Sequence, residues 1–222
     1  MDDRTIGRAG FLGILGAGAL GLFFARDVTG LIGRVVPNSV SSVVPTNGSW
    51  RIYTVASMPN VDPATYRLKV DGLVSTPKTF TLADLKAMPR AEQVSDFRCV
   101  TGWVVKDVHW GGVRLHEVLD RTGARDSAKA LTFVSAEVPY SDSLTLEQAL
   151  LPDVMLAYEM NGKPLSRPHG APVRLVMPQM YGYKSVKWVN HIDVRATADY
   201  GYWEQNGYDK DAWIGRSNGF GI

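Results

Sequence analysis

The stretch between residues 50 and 198 consists of short apolar segments separated by turn residues, and this pattern restricts the fold more than any other feature. Tyr66, Leu68 and Val70 alternate with polar residues before the turn at Asp71-Gly72, which is typical of a strand with one buried face. Further strands are predicted for residues 131–134, 155–158 and 172–177, with Asn161-Gly162 as a tight turn. The expected fold class is α+β, mixed and β-rich.

Two short helices are predicted from their first turns. Thr81 is followed three positions later by Asp84, and Thr145 by Gln148. Both pairs resemble a capping box, in which each side chain bonds the other residue's backbone N–H and so satisfies the helix start. A third helix is predicted for residues 115–119, where the leucines and valine repeat at helical spacing.

The N-terminal region differs from this pattern because residues 9–25 carry no charge and are flanked by Arg8 and Arg26. Such an apolar helix suits an export signal or a membrane anchor, and a buried core helix is the alternative. The start resembles a twin-arginine export signal in which Ala9 replaces the second arginine. We therefore expect a signal or anchor over residues 1–30, a linker over 31–49, the main folded domain over 50–198 and a tail over 199–222. The expected location is extracytoplasmic, in the periplasm or on the outer face of the membrane.

Cys99 is the only cysteine of the chain, so an internal disulfide is excluded. A buried thiol, a nucleophile and a single metal ligand remain open. Arg98 favours a thiolate, Thr101-Gly102 suits a tight turn, and Trp103 offers a wall for a planar ligand. The formal net charge is +2, with no basic run, which argues against a nucleic-acid partner.

Two later stretches add chemistry to the cysteine. In residues 167–178, Arg174 lies on a predicted strand and His169 in the loop before it, an arrangement that suits an anion; an exposed surface arginine is the alternative. In residues 181–189, Lys184, Ser185 and Lys187 stand among aromatic residues. Two lysines, a hydroxyl and aromatic rings suit a flat heterocycle with a phosphate. The alternative is an amphipathic strand whose lysines face the solvent.

Together the three stretches resemble the sulfite oxidase family of molybdopterin-dependent oxidoreductases. The resemblance rests on Cys99 in its loop, on His169-Gly170-Ala171-Pro172-Val173-Arg174, and on Gly182-Tyr183-Lys184-Ser185-Val186-Lys187-Trp188, in that order. It extends from about residue 50 to about residue 194. Three ordered motifs are far more specific than any one of them.

The resemblance implies roles for individual residues. Cys99 would be the catalytic thiolate ligand of molybdenum. The other residues would bind the molybdenum–molybdopterin cofactor: His169, Arg174, Ser185, Val186 and Lys187, with Tyr53, Thr54, Val55 and Ser135 assigned by position alone.

The same resemblance implies oxygen-atom transfer to or from a small-molecule substrate, with electrons exchanged with a separate partner such as a membrane haem protein or a cytochrome. Residues 100–105 contain no charge, whereas sulfite oxidases carry basic residues after the cysteine, so this loop is more similar to bacterial methionine-sulfoxide reductases. A sulfite-oxidising enzyme, a cysteine hydrolase using His109, His116, His169 or His191, and a non-catalytic membrane-tethered binding domain are the alternatives.

Overall fold

The computed structural model describes residues 50–216. The strands are β1 Arg67–Gly72, β2 Lys78–Thr81, β3 Arg90–Arg98, β4 Val104–Arg114, β5 Ala130–Ser135, β6 Ser141–Thr145, β7 Met155–Met160, β8 Lys163–Pro164, β9 Arg174–Val176 and β10 Val189–Arg195. The helices are α1 Leu82–Lys86, α2 Leu115–Asp120, α3 Leu146–Ala149 and α4 Tyr202–Gln205, with 3₁₀ turns at Arg167–His169 and Gly182–Lys184. The predicted apolar N-terminal helix lies outside the described residues.

The first sheet has the strand order β2-β1-β10-β5-β6. Its middle pair, β1 and β10, is parallel, and the other neighbours are antiparallel. Leu68 and Val70 of β1 are fully buried while Arg67 and Lys69 are exposed, as the alternation predicts. The predicted strand at residues 131–134 is confirmed as β5.

The second sheet has the order β3-β4-β7-β8, and β9 pairs with β7. The long hairpin of β3 and β4 ends in the loop that contains Cys99. Both β7 and β9 confirm predicted strands, and the turn before β8 contains Gly162 at φ 73°, which a glycine adopts without steric cost. The sheet therefore brings the cysteine loop and the arginine strand into one structure.

A large hydrophobic core joins the two sheets. It contains Leu68 and Phe133 from the first sheet and Leu156 and Leu175 from the second. Both predicted capping boxes, at Thr81 and at Thr145, are present, and α2 confirms the third helix. The mixed, β-rich α+β class is thus confirmed. Between residues 50 and 216, no helix has the length and apolar character needed to span a membrane.

Candidate active site

The cysteine loop is a tight turn at the end of the β3–β4 hairpin. The Cys99 N–H donates to the Trp103 carbonyl at 3.0 Å, and the Gly102 N–H donates back to the Cys99 carbonyl at 3.0 Å. Gly102 has φ 94°, a conformation that favours glycine, so the predicted turn is confirmed. The thiol is partly buried and lies 3.2 Å from the Thr101 hydroxyl oxygen.

Arg174 is a buried side chain, only 2% exposed, in the short strand β9. Its guanidinium donates to the carbonyls of His169 at 3.2 Å and Ser185 at 3.1 Å. It also lies over the rings of Phe97 and Trp110, at 5.3 Å and 5.1 Å. Within residues 50–216 no carboxylate is within ion-pair distance of this guanidinium. The alternative of an exposed surface arginine is therefore wrong.

Lys187 connects several of the predicted residues. Its ammonium donates to the Tyr53 carbonyl at 2.7 Å and lies 4.2 Å from the centre of the Trp188 ring. Ser135 donates its hydroxyl to the Lys187 carbonyl at 2.8 Å, so it holds the backbone on which this lysine stands. This hydrogen bond places Ser135 in the same region as Lys187.

Burial and mutual repulsion perturb the cations of this region. Burial lowers the pKa of His169 to about 4, with Arg174 and Lys187 adding to the shift. Burial also lowers the pKa of Lys187 to about 7, opposed by Glu137 and reinforced by Arg174. Burial lowers the pKa of Arg174 to about 10. A bound anion would favour the protonated forms of all three groups at once, because its opposite charge would replace the hydration that burial has removed.

Gly170 permits the close approach of these cations. It has φ 99°, and a Cβ added there would lie 2.9 Å from the Lys187 Cβ and 3.2 Å from the Arg174 Cβ. Any larger residue would push the two positive side chains apart.

The N-terminal segment is fixed beside the same cations. The Glu137 carboxylate accepts the N–H groups of Val55 at 2.7 Å and Ala56 at 3.1 Å. The Tyr53 hydroxyl lies 3.5 Å from the Thr101 hydroxyl, and Thr54 is partly buried between Tyr53 and Val55. Tyr53 therefore connects the cysteine loop to Lys187, and Glu137 fixes the chain directly after Thr54.

Two of the predicted cofactor residues face the protein interior. The Val186 side chain is fully buried in the core, and its carbonyl accepts the Leu175 N–H at 2.8 Å. The Ser185 hydroxyl accepts the Met177 N–H at 3.0 Å. Their side chains therefore hold the segment in place, and direct contact with a ligand is left to the backbone.

Lys184 does not face the same region as Lys187. It is 1% exposed and forms ion pairs with Asp142 and Glu204. The prediction that the two lysines together face one heterocycle is wrong, because the chain forms a 3₁₀ turn at Gly182–Lys184 instead of continuing as a strand.

Sequence reasoning missed Glu137 and Tyr208. Burial raises the pKa of Tyr208, and the charges of Cys99 and Tyr53 raise it further. The aromatic composition of the tail was the only sequence signal for Tyr208. Glu137 had none, since its role depends on how the loop after β5 meets residues 55 and 56.

Buried donors without partners also lie in this region. The indole N–H groups of Trp103 and Trp110 have no hydrogen-bond partner within the described part of the chain. Trp50 is in ring contact with both, at 6.1 Å and 6.4 Å, and with His169 at 4.8 Å. Buried N–H groups are rarely left unpaired in native proteins, so these donors fit a site that receives a polar ligand.

Comparison with known proteins gives consistent results. A family model described as the oxidoreductase molybdopterin binding domain matches residues 55–203. An uncharacterised oxidoreductase of Bacillus subtilis, YuiH, is 35% identical over 184 residues, which cover 82% of this chain and 90% of the relative. A putative protein-methionine-sulfoxide reductase subunit of Azospira oryzae, YedZ1, is 34% identical over 187 residues, covering 82% of this chain and 70% of the relative.

A solved structure resembles the described fold as well. The sulfane dehydrogenase SoxCD of Paracoccus pantotrophus superposes with a TM-score of 0.60 at 29% sequence identity. The match covers 64% of this chain and 41% of that chain.

Proposed function

Because the chain belongs to the family of oxidoreductase molybdopterin binding domains, we propose that it reduces a small neutral S-oxide or N-oxide by oxygen-atom transfer. Family membership makes the chain a molybdopterin-dependent oxidoreductase whose cofactor is molybdenum–molybdopterin. The reduction consumes two electrons and two protons, and it releases the reduced substrate and water. The electrons come from a separate partner.

The residues of the site fit this cofactor. The guanidinium of Arg174, the amine of Lys187 and the imidazole of His169 form a largely buried group of hydrogen-bond donors suited to a phosphate. The unpartnered indole N–H groups of Trp103 and Trp110 can meet polar atoms of a pterin. When bound, the cofactor supplies the two-electron redox chemistry and the exchangeable oxygen. The Cys99 thiolate would hold its metal, as a soft sulfur donor.

The observation that carries the choice of substrate is the absence of charged residues from the loop that follows the thiol. Residues 100–105 are uncharged, and the neighbouring side chains include Trp103 and Tyr53, which are stacked with ring centroids 6.4 Å apart. A tyrosine phenol is protonated at neutral pH, and burial raises the pKa of Tyr208 further, so its phenol is a neutral hydrogen-bond donor. Aromatic walls and a neutral donor suit a polarisable sulfoxide better than an anion. The relative from Azospira oryzae is named for methionine-sulfoxide reduction, which supports the same choice.

The test compares two variants that should fail in different ways. Cys99→Ser should keep the pterin and lose activity with methionine sulfoxide and a reduced viologen, because a hydroxyl is a poorer donor to the metal than a thiolate. Arg174→Ala should lose the pterin itself, because a buried donor to the phosphate is removed. Thr79→Ser, a comparable change at an exposed position of the edge strand β2, is the control. Full sulfoxide reduction by Cys99→Ser, or oxidation of sulfite as the faster reaction of the wild type, would contradict the proposal.

We also propose an extracytoplasmic location, supported by the charge-free residues 9–25 between Arg8 and Arg26. Fusing residues 1–45 to a reporter that is active only outside the cytoplasm tests this. A reporter that stays soluble in the cytoplasm would refute it.

A further inference from the structure

A buried ion group lies on the side of the cofactor segment that faces away from Lys187. The Lys184 ammonium donates to the Asp142 carboxylate at 2.7 Å, to the Ser143 carbonyl at 3.0 Å, and to the Glu204 carboxylate. The side chains of Lys184, Asp142 and Glu204 are each 2% exposed or less. An ammonium has three N–H donors, and all three are used, so Lys184 has none left for a ligand.

The same group fixes the C-terminal tail. The second oxygen of the Glu204 carboxylate accepts the Gly201 N–H at 2.8 Å, at the start of α4. This helix has only four residues, too few to be stable without tertiary contacts. Glu204 is its only buried side chain. The position of α4 therefore depends on a carboxylate that bonds both its own helix start and Lys184.

Tyr208 follows directly from this helix. Its N–H donates to the Trp203 carbonyl at 3.0 Å, and its ring lies 5.1 Å from the Trp203 ring and 5.5 Å from the Tyr183 ring. The Tyr183 hydroxyl donates to the Asp209 carbonyl at 2.6 Å. Tyr183 adjoins Lys184 in sequence, so the 3₁₀ turn at Gly182–Lys184 holds the tail on both sides of Tyr208.

Two carboxylates and one buried ammonium hold the tail. Packed apolar side chains stabilise a fold as well as a buried ion pair does, or better, because the ions must lose their hydration. What such a group supplies is a fixed geometry, since each charge has few alternative partners inside the protein. Asp142 also leaves its second oxygen buried with no partner among residues 50–216.

We propose that Lys184, Asp142 and Glu204 are positioning residues that hold the tail residue Tyr208 against Tyr183 of the turn at Gly182–Lys184, beside the segment that would bind the cofactor. The ion group ties the segment that carries Ser185 and Lys187 to the tail that carries Tyr208. Cofactor binding and tail placement are thereby set by one structural unit. The inference rests on the proposed function, to which it adds a requirement for the tail.

The first measurement does not use activity. Glu204→Gln keeps the size of the side chain and an acceptor for the Gly201 N–H, but it removes the charge that holds Lys184. We expect amide exchange in residues 201–211 to become about tenfold faster, because the local opening becomes easier, with exchange in β9 unchanged. Glu147→Gln, at an exposed position of α3, is the matched control and should leave both unchanged. Unchanged exchange in the tail of Glu204→Gln would overturn the proposal, whatever the substrate of the enzyme is.

The second measurement is a double-mutant cycle on the cofactor-loaded enzyme. Glu204→Gln should lower kcat about tenfold at unchanged molybdenum content, because a displaced donor costs rate more than binding. In the Tyr208→Phe background the same change should cost less than about twofold, since the group it positions is already gone. Equal losses in the two backgrounds would show that Glu204 acts elsewhere.

A third variant covers the case in which Glu204→Gln does not fold. Lys184→Met, Asp142→Asn and Glu204→Gln together remove every charge of the group, which avoids an unpaired buried ion. This triple variant should bind cofactor and show the same faster exchange in residues 201–211. A triple variant with a wild-type tail and wild-type kcat would refute the positioning role. Failure of the wild type to reduce any S-oxide would instead refute the proposed function and leave the exchange result standing.

Discussion

Replacing Lys187 with methionine should stabilise the cofactor-free protein while weakening its hold on the cofactor. Methionine has nearly the length of the lysine side chain but no charge. The pKa of Lys187 falls from 10.5 to about 7 on folding, chiefly through burial. A lowered pKa means that the folded state disfavours the ammonium, so stability is lost as the pH falls from 10.5 toward 7. At about 1.4 kcal/mol per pKa unit, the buried lysine lowers the free energy of unfolding by about 4 kcal/mol at pH 7 and by about 1 kcal/mol at pH 10.

One loss offsets this gain. The variant gives up the hydrogen bond from Lys187 to the Tyr53 carbonyl, worth about 1 kcal/mol. The attraction of Glu137 for the ammonium is already part of the lowered pKa of Lys187, so its loss adds no further cost. The expected net effect of Lys187→Met is therefore a stabilisation of about 3 kcal/mol at pH 7 that falls to about zero at pH 10.

The assay is urea unfolding of protein made in a host without molybdopterin, followed by tryptophan fluorescence at pH 7, 8.5 and 10. Lys163→Met, at an exposed position of β8, is the control and should differ from wild type by a constant amount. All other titrating groups are shared, so the difference between variant and wild type isolates Lys187. Parallel stability profiles for wild type and Lys187→Met would refute the reasoning.

Three further changes follow from the same site. Burial lowers the pKa of His169 from 6.5 to about 4, so the folded state disfavours the protonated imidazole and the free energy of unfolding decreases by up to about 3 kcal/mol as the pH falls from 6.5 through 4. His169→Gln should remove this part of the pH dependence of acid unfolding. Gly182→Ala would put a Cβ 2.3 Å from the Phe97 ring, so it should cost about 1–3 kcal/mol and lower molybdenum content, and Phe97→Leu in the same chain should restore both. Glu137→Gln weakens the acceptor of the Val55 N–H, and limited proteolysis should then cut residues 51–58 faster than in wild type, whereas an unchanged cutting rate would contradict the anchoring role.

The parts of the site that lie in one continuous motif could be predicted from sequence. His169, Gly170 and Arg174 stand within six positions, and the strand alternation places Arg174 on one face with its neighbours on the other. The turn at Thr101-Gly102 was likewise predictable, because a glycine there accepts the left-handed backbone found at Gly102. These features depend on residues that are neighbours in sequence, so the sequence is enough to predict them.

The remaining parts depend on contacts between distant segments. Glu137 meets Val55 across 82 positions, and Lys184 meets Glu204 across 20. No periodicity encodes such pairings. The different faces of Lys184 and Lys187 arise from the 3₁₀ turn and from Trp188, which has φ 50°, a backbone state that a tryptophan adopts only when its surroundings impose it.

The reactivity of the thiol at the tip of the β3–β4 hairpin can report the fraction of molecules that carry the cofactor. A maleimide or a disulfide reagent has one possible target, since Cys99 is the only cysteine of the 222 residues and is partly exposed. A metal on that sulfur would block the reaction, because a coordinated thiolate is no longer a free nucleophile. The fraction of molecules that react then equals the fraction without cofactor, and this measurement needs no calibration against colour, metal content or turnover.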